Sequence, residues 1–345
     1  MKLKRLYKLF LGLLLILLNG CVVNRPEVSK PNHPPRLRME GGLIYVDVTN
    51  SQKPQIIHLN LANGKQTVLY NYSQRIDHPD PAYNPNEKNN IYFADKDVGG
   101  NYRIYAFDLN NQEKKEFKWS CTTKNNDRHL AFDKTGRKMV FQSNRSSSSY
   151  QVYVIGWDSS QDLQLVAGGD SKGQAPVISP DGTRVAYICN GTLVVIDCTT
   201  AVPKKINPSD VNLTGTFDNP SWKPEPGGVS NVLAVELIND ENEHTIYALM
   251  NPFDPNPQVQ QLTFKWDGKK ANHRHPVWSG DGSVLFFTGT MLKSDRPDLF
   301  GVYFEAVLEK GIQAQWYQVS DGIAKIKHPC WAPDLQLPQS GPVSE

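Results

Sequence analysis

The sequence predicts an all-β protein, a six-bladed β-propeller of four-stranded antiparallel blades, and three observations carry that expectation. One short pattern recurs six times, hairpin-forming runs follow its copies, and the two ends of the chain hold complementary fragments of a single unit.

The recurrent pattern reads Pro81-Ala82-Tyr83-Asn84-Pro85, Leu130-Ala131-Phe132-Asp133-Lys134-Thr135-Gly136, Pro176-Val177-Ile178-Ser179-Pro180-Asp181-Gly182, Pro220-Ser221-Trp222-Lys223-Pro224, Pro276-Val277-Trp278-Ser279-Gly280-Asp281-Gly282 and Pro329-Cys330-Trp331-Ala332-Pro333-Asp334. The copies are separated by 49, 46, 44, 56 and 53 residues, the period of four-stranded blades rather than of helical solenoids. No stretch reads as a helix of useful length.

After each copy come apolar β-rich runs bounded by turn residues. Arg184 to Ile188 and Leu193 to Asp197 flank Asn190-Gly191, the strongest short hairpin signal, in a register that pairs Cys189 with Thr192. Comparable pairs are Ile91 to Ala94 with Tyr102 to Leu109, Met139 to Gln142 with Gln151 to Trp157, Val232 to Leu237 with Thr245 to Met250, and Val284 to Thr288 with Leu299 to Ala306. A more polar fourth strand closes each unit, at Lys115 to Trp119, Leu163 to Ala167, Lys204 to Asn207, Val259 to Thr263 and Gln315 to Ser320, as suits an exposed outer edge.

The ends complete the topology. Residues 43 to 70 supply three strands without an opening signature, and the sixth signature, at Pro329, has no strands after it. Joined, they make one composite blade that closes a ring and removes the unpaired edges of an open array.

The repeat, best seen in Pro176 to Gly182 and in Gln151-Val152-Tyr153-Val154, resembles that of the TolB-type propeller family, whose units carry Pro-x-Trp-Ser-Pro-Asp-Gly and strands like Gln-Ile-Tyr-Val. The resemblance covers residues 41 to about 335 and implies the fold. TolB itself carries an α/β domain ahead of its propeller. Here a leader and a tether stand in that place, so a role in the Tol-Pal system does not follow.

Composition agrees with a globular chain: 39% hydrophobic, 21% charged and 10% aromatic in 345 residues, which excludes disorder and a polytopic membrane protein. Beyond the first forty residues 29 bases face 33 acids, so nucleic acid is not an expected partner.

Residues 1 to 20 read as an export signal, with Lys2, Lys4, Arg5 and Lys8 ahead of the apolar run Leu9 to Leu18, a run too short to span a bilayer. Leu18-Asn19-Gly20-Cys21 resembles the bacterial lipobox, which implies cleavage before Cys21 and acylation of that cysteine. Several acyl chains give lasting membrane attachment where one is marginal. In that family an aspartate after the cysteine favours inner-membrane retention. Val22 follows here, which implies outer-membrane delivery facing the periplasm. Residues 21 to 40, with Pro26, Pro31, Pro34 and Pro35, read as an extended tether, and residues 336 to 345 as a disordered tail.

Trp222, Trp278, Trp331, Tyr83 and Phe132 share one repeat position and are expected to pack between blades, with a sugar-stacking platform as the alternative. Pro-Asp-Gly at 180 to 182 and Gly-Asp-Gly at 280 to 282 are turn chemistry, and Asp181 and Asp281 lack the multi-oxygen loop that calcium needs.

Histidine placement is the main departure from plain packing. Five of the eight histidines fall in the four positions preceding the signatures, where random placement would put about 0.6. The expected ring at the channel mouth comprises Asp77, His78, Asp80, Asp127, His129, Asp218, Asn219, His273, His275 and His328, with Asn126 and Asn272 in the same windows. Three readings fit it: side chains satisfying loop backbone, a docking site for a protein or glycan, or a metal site using His129, His273, His275 or His328.

No Gly-x-Ser-x-Gly elbow, phosphate loop or His-Glu-x-x-His motif occurs, and no Cys-x-x-Cys pair suggests redox work. Cys121, Cys189, Cys198 and Cys330 are compatible with zero, one or two disulfides. The sequence therefore points to a lipid-anchored envelope scaffold that engages an envelope protein or a peptidoglycan or glycan partner at the channel mouth, with no catalytic residue and no cofactor expected. The alternative is a metal-dependent polysaccharide lyase or hydrolase built on the same histidines.

Overall fold

The structure is a computed structural model. It describes residues 34–338 apart from 78, 118–124, 147, 158–162, 167–172, 228, 266–271, 291–296, 312–313 and 323. The lipobox with Cys21, the tether up to residue 33, His78, Cys121 and the last seven residues lie outside the described residues. The chain divides into two units, Met1–Pro34 and Pro35–Glu345; the second is the propeller.

Six antiparallel sheets follow one another along the chain, and in five of them the strands run in sequence order from the channel outward. The first complete sheet holds Asp127–Phe132, Lys138–Ser143, Gln151–Gly156 and Gln164–Leu165. The next three hold Gly173–Ile178 to Pro203–Ile206, Thr216–Trp222 to Gln258–Gln261, and His273–Trp278 to Trp316–Gln318. In the blade of Asn90–Lys96, Tyr102–Asp108 and Glu113–Glu116 the inner strand shrinks to one bridge, with Ala82 and Tyr92 exchanging hydrogen bonds of 2.7 and 3.0 Å.

Ile326–Trp331 completes the sheet of Gly42–Asp47, Gln55–Asn60 and Gln66–Asn71, pairing Leu43 with Trp331 and Ile44 with Cys330. The tail thus finishes the unit that the head begins, as the two end fragments predict. The last residues of the expected tether are also seated: Leu37 N donates to Gln318 O and Gln318 N to Pro35 O, both at 2.9 Å, on the outer strand of the neighbouring blade. Leu37 is buried in the apolar cluster shared by these two blades.

Apolar clusters sit between successive sheets. Tyr70, Phe93 and Phe107 join the composite blade to the one after it, and Trp278, Phe287 and Trp316 share a cluster with Val232, Ala234 and Ile246 of the preceding blade. Such faces, buried on both sides, explain why the middle strands read as near-continuous hydrophobic runs.

One strand is shorter than expected. The strand expected over Leu299 to Ala306 stops at Tyr303, and Phe304–Lys310 is a helix whose Phe304 and Val307 are buried. Glu305, Ala306, Leu308, Glu309 and Lys310 are strong helix formers, with the acid early, the base late and Gly311 at the stop.

Candidate functional site

The innermost strands line a central cavity of about 460 Å³. Its wall is built from the recurrent signature. Pro81, Pro176, Pro220, Pro276 and Pro329 form one ring with Leu130; small side chains such as Ala82, Ala131 and Ser221 form the next; Tyr83, Phe132, Ile178, Trp222, Trp278 and Trp331 form a third. The aromatics are therefore both interblade packing and cavity wall.

One end of the cavity is closed by the residues just before the prolines: Asp80, His129, Ala175, Asn219, His275 and His328. Local backbone geometry puts them there. In four blades the pairing of the inner strand with its neighbour slips at this point, between Arg128 and Ala131, Gln174 and Val177, Asp218 and Ser221, and Arg274 and Val277. The composite blade slips in the same way between Lys327 and Cys330. These are β-bulges, and the residue inside each takes φ of 51° at His129, 46° at Ala175, 42° at Asn219, 51° at His275 and 48° at His328. Asn and His tolerate this region better than most residues, and the bulge turns each of these side chains from the sheet toward the axis.

Asp80 organises the ring. Its Oδ1 lies 2.8 Å from His328 Nδ1 and its Oδ2 lies 2.9 Å from His129 Nδ1, the latter off the in-line direction for a hydrogen bond. Burial alone would raise this carboxyl, but the two imidazoles outweigh it and hold Asp80 well below the usual carboxylate range. His275 lies against His328 with ring centroids 4.4 Å apart and planes tilted by 52°, and its Nδ1 meets Thr288 Oγ1 at 3.0 Å. Thr288 Oγ1 donates to Arg274 O, so His275 Nδ1 carries the proton. Burial, then His328, push His275 well below the ordinary imidazole range.

A second polar group supports the ring from behind. Glu236 Oε1 is 2.6 Å from His244 Nδ1, Arg274 Nη2 is 2.6 Å from His244 Nε2, and Asn219 Nδ2 donates to Glu236 Oε2 at 2.8 Å. Asp218 beside them is pushed up by burial and by Glu236. His244 and Glu236 lie outside the windows that the histidine count singled out. Their signal was a polar pair within otherwise apolar strands.

Of the ten residues expected at the channel mouth, Asp80, His129, Asn219, His275 and His328 line the cavity. Asp218 flanks it through Glu236 and His129. His78 lies outside the described residues. Three others are elsewhere. Asp77 is exposed beside Arg75. Asp127 is fully buried against Asn125 and Arg145. His273 is 3% exposed and packs edge-on against Phe287 and Trp316, in the apolar layer rather than the cavity. A two-residue spacing puts His273 and His275 on one face of a regular strand, and the bulge after Arg274 breaks that alternation.

Among the described residues no three His, Cys, Asp or Glu side chains converge as a metal site requires. Cys189 pairs with Thr192 across the Asn190-Gly191 turn, as the sequence predicts, and no disulfide joins Cys189, Cys198 and Cys330. Burial pushes the Cys330 thiol up to about 12, far from reactive.

No family model matches the chain, and no curated protein matches it. Solved structures do match, in fold. TolB from Acinetobacter baumannii shares 17% identity at a TM-score of 0.54, over 72% of this chain and 57% of that one, so this chain spans a little over half of that protein. Putative TolB from Agrobacterium tumefaciens shares 12% at 0.56, over 86% and 95%. An oligogalacturonate lyase in complex with manganese shares 11% at 0.51, over 84% and 77%. The architecture is that of a TolB-type propeller.

Proposed function

We propose that this chain is a lipid-anchored protein of the bacterial cell envelope that holds a partner, a protein or a cell-wall component, in its central cavity. The observation that carries this reading is the cavity itself: one concave, mostly apolar space with a few convergent polar groups is the usual form of a binding site. The basic start, short apolar run and Cys21 support the anchor, and the TolB likeness in fold is in keeping with an envelope role.

A lyase or hydrolase using bound metal draws on the likeness to oligogalacturonate lyase, but the donors do not fit. Among the described residues no three His, Cys, Asp or Glu side chains come together to hold an ion.

The test is photo-crosslinking in cells, with the crosslinking residue at Pro180 in the cavity wall or at Lys115 on an outer strand. A partner adduct from position 180, lost when Cys21→Ala releases the protein from membranes, is the expected result. Adducts from position 115 alone would move the binding site to the blade edges.

A further inference from the structure

We infer that the cavity binds an uncharged sugar, a short stretch of glycan whose hydroxyls bond at Gly280 while its ring lies among the wall aromatics. This rests on the docking reading above and narrows it to one ligand chemistry.

The two departures from the repeat mark the place. At the position two residues beyond the aromatic, four blades carry proline, at 85, 180, 224 and 333; the other two carry Lys134 and Gly280. Those blades are three apart in a ring of six, so the two residues face each other across the end of the cavity opposite the histidines. Lys134 Nζ meets Gly280 O at 3.4 Å, a long and weak bond. The edge of the Trp331 indole reaches the same glycine: a Cβ on residue 280 would lie 2.7 Å from Trp331 Nε1.

Along this wall hydrogen-bond donors are left over. Trp278 Nε1 donates to Ser221 O at 3.1 Å, whereas the buried Nε1 atoms of Trp222 and Trp331 have no partner among the described residues. Buried N–H groups are as a rule satisfied, so the wall calls for ligand oxygens at more than one point.

Charge and Gly280 together select the kind of oxygen. Asp80, Asp133 and Asp334 line the cavity against the single Lys134, so the wall does not favour an anion. When the lysine leaves Gly280 O, that carbonyl needs a donor, while the ammonium and the indole N–H need an acceptor. A hydroxyl does both from one atom; a carboxylate or carbonyl oxygen only accepts. Several hydroxyls on a compact ring with apolar C–H faces describe a pyranose. Tyr83, Phe132, Trp222, Trp278 and Trp331 surround such faces with aromatic side chains.

Isothermal titration calorimetry of the purified full chain tests this, with chitotriose, maltotriose and trigalacturonate as probes. At least one of the two uncharged trimers is expected to bind saturably, about fivefold or more tighter than trigalacturonate. Lys134→Met and Trp331→Phe should each weaken that binding about fivefold, the loss of one hydrogen bond, and Lys115→Met on an outer strand should leave it unchanged. No saturable binding of either uncharged trimer, trigalacturonate binding as tightly or more so, or an affinity unmoved by Lys134→Met would each overturn the assignment. So would an affinity unmoved by Trp331→Phe in a variant that melts like the parent. A partner adduct at position 180 from a protein that binds neither uncharged trimer would leave the docking reading standing while removing this one.

Discussion

His328 Nδ1 lies 2.8 Å from Asp80 Oδ1, across the seam between the blade that closes the ring and the blade that follows it. His129, on the next blade, approaches the other oxygen of the same carboxylate. One buried acid thus ties three consecutive blades together, at the junction where the chain's two ends meet.

Removing that carboxylate strands two imidazoles. Asp80→Asn is expected to destabilise the propeller by about 3 kcal/mol at pH 5, read as a shift in the urea midpoint. Because the Asp80 carboxyl is held below its unfolded value, its contribution is complete above about pH 4 and is lost as the pH falls further. The gap between variant and parent should narrow below pH 4, and a gap that stays constant there would contradict the assignment.

His273 begins to lose its contribution at a higher pH. Burial first, and His244 second, push it down to about 3, so the folded state holds it neutral where the unfolded chain would protonate it. Its contribution is full above about pH 6.5 and is lost progressively below it, at up to about 1.4 kcal/mol per pH unit. His273→Phe keeps the edge-on packing with Phe287 and Trp316 and should remove that slope between pH 6 and pH 4. A variant whose melting temperature tracks the parent across that range would show that other groups set it.

Closure of the ring rests on the last inner strand. A chain ending at Gly322 loses Ile326–Trp331 and exposes the edge of Gly42–Asp47. Loss of the cooperative melt and the appearance of oligomers by size-exclusion chromatography are expected, since an open apolar edge recruits other chains. A monomer with an unchanged melt would mean that the composite blade is dispensable.

The second glycine of the 280–282 turn has no room for a side chain. Gly282 sits at φ 71°, and a Cβ there would lie 2.1 Å from Pro224 O on the preceding blade. Gly282→Ala should cost about 1–3 kcal/mol, whereas Gly100→Ala, also at positive φ but with nothing near it, should cost less. Equal losses in thermal melts would put the whole effect in the backbone angle.

Much of the architecture can be read from particular residues. Asn190 and Gly191, at φ 50° and 79°, form the hairpin turn that their identity implies and set the Cys189 to Thr192 register. The helix of Phe304–Lys310 was missed, because an apolar strand runs into it without a break. The site was legible only in part. The crowding of histidines before the signatures marked the right loops, yet it could not separate His275 in the cavity from His273 in the core.

By itself the sequence determined the repeat, the number of blades and the division of one blade between both ends, because these follow from short-range patterning and from complementary fragments. Tertiary structure alone decided which side chains meet. Bulges reversed the facing of five inner-strand residues, and ring closure brought Asp80 to His328 and Lys134 to Gly280. Those contacts depend on the angle at which each blade meets the next, which is set by packing over the whole ring and is written in no local stretch of chain.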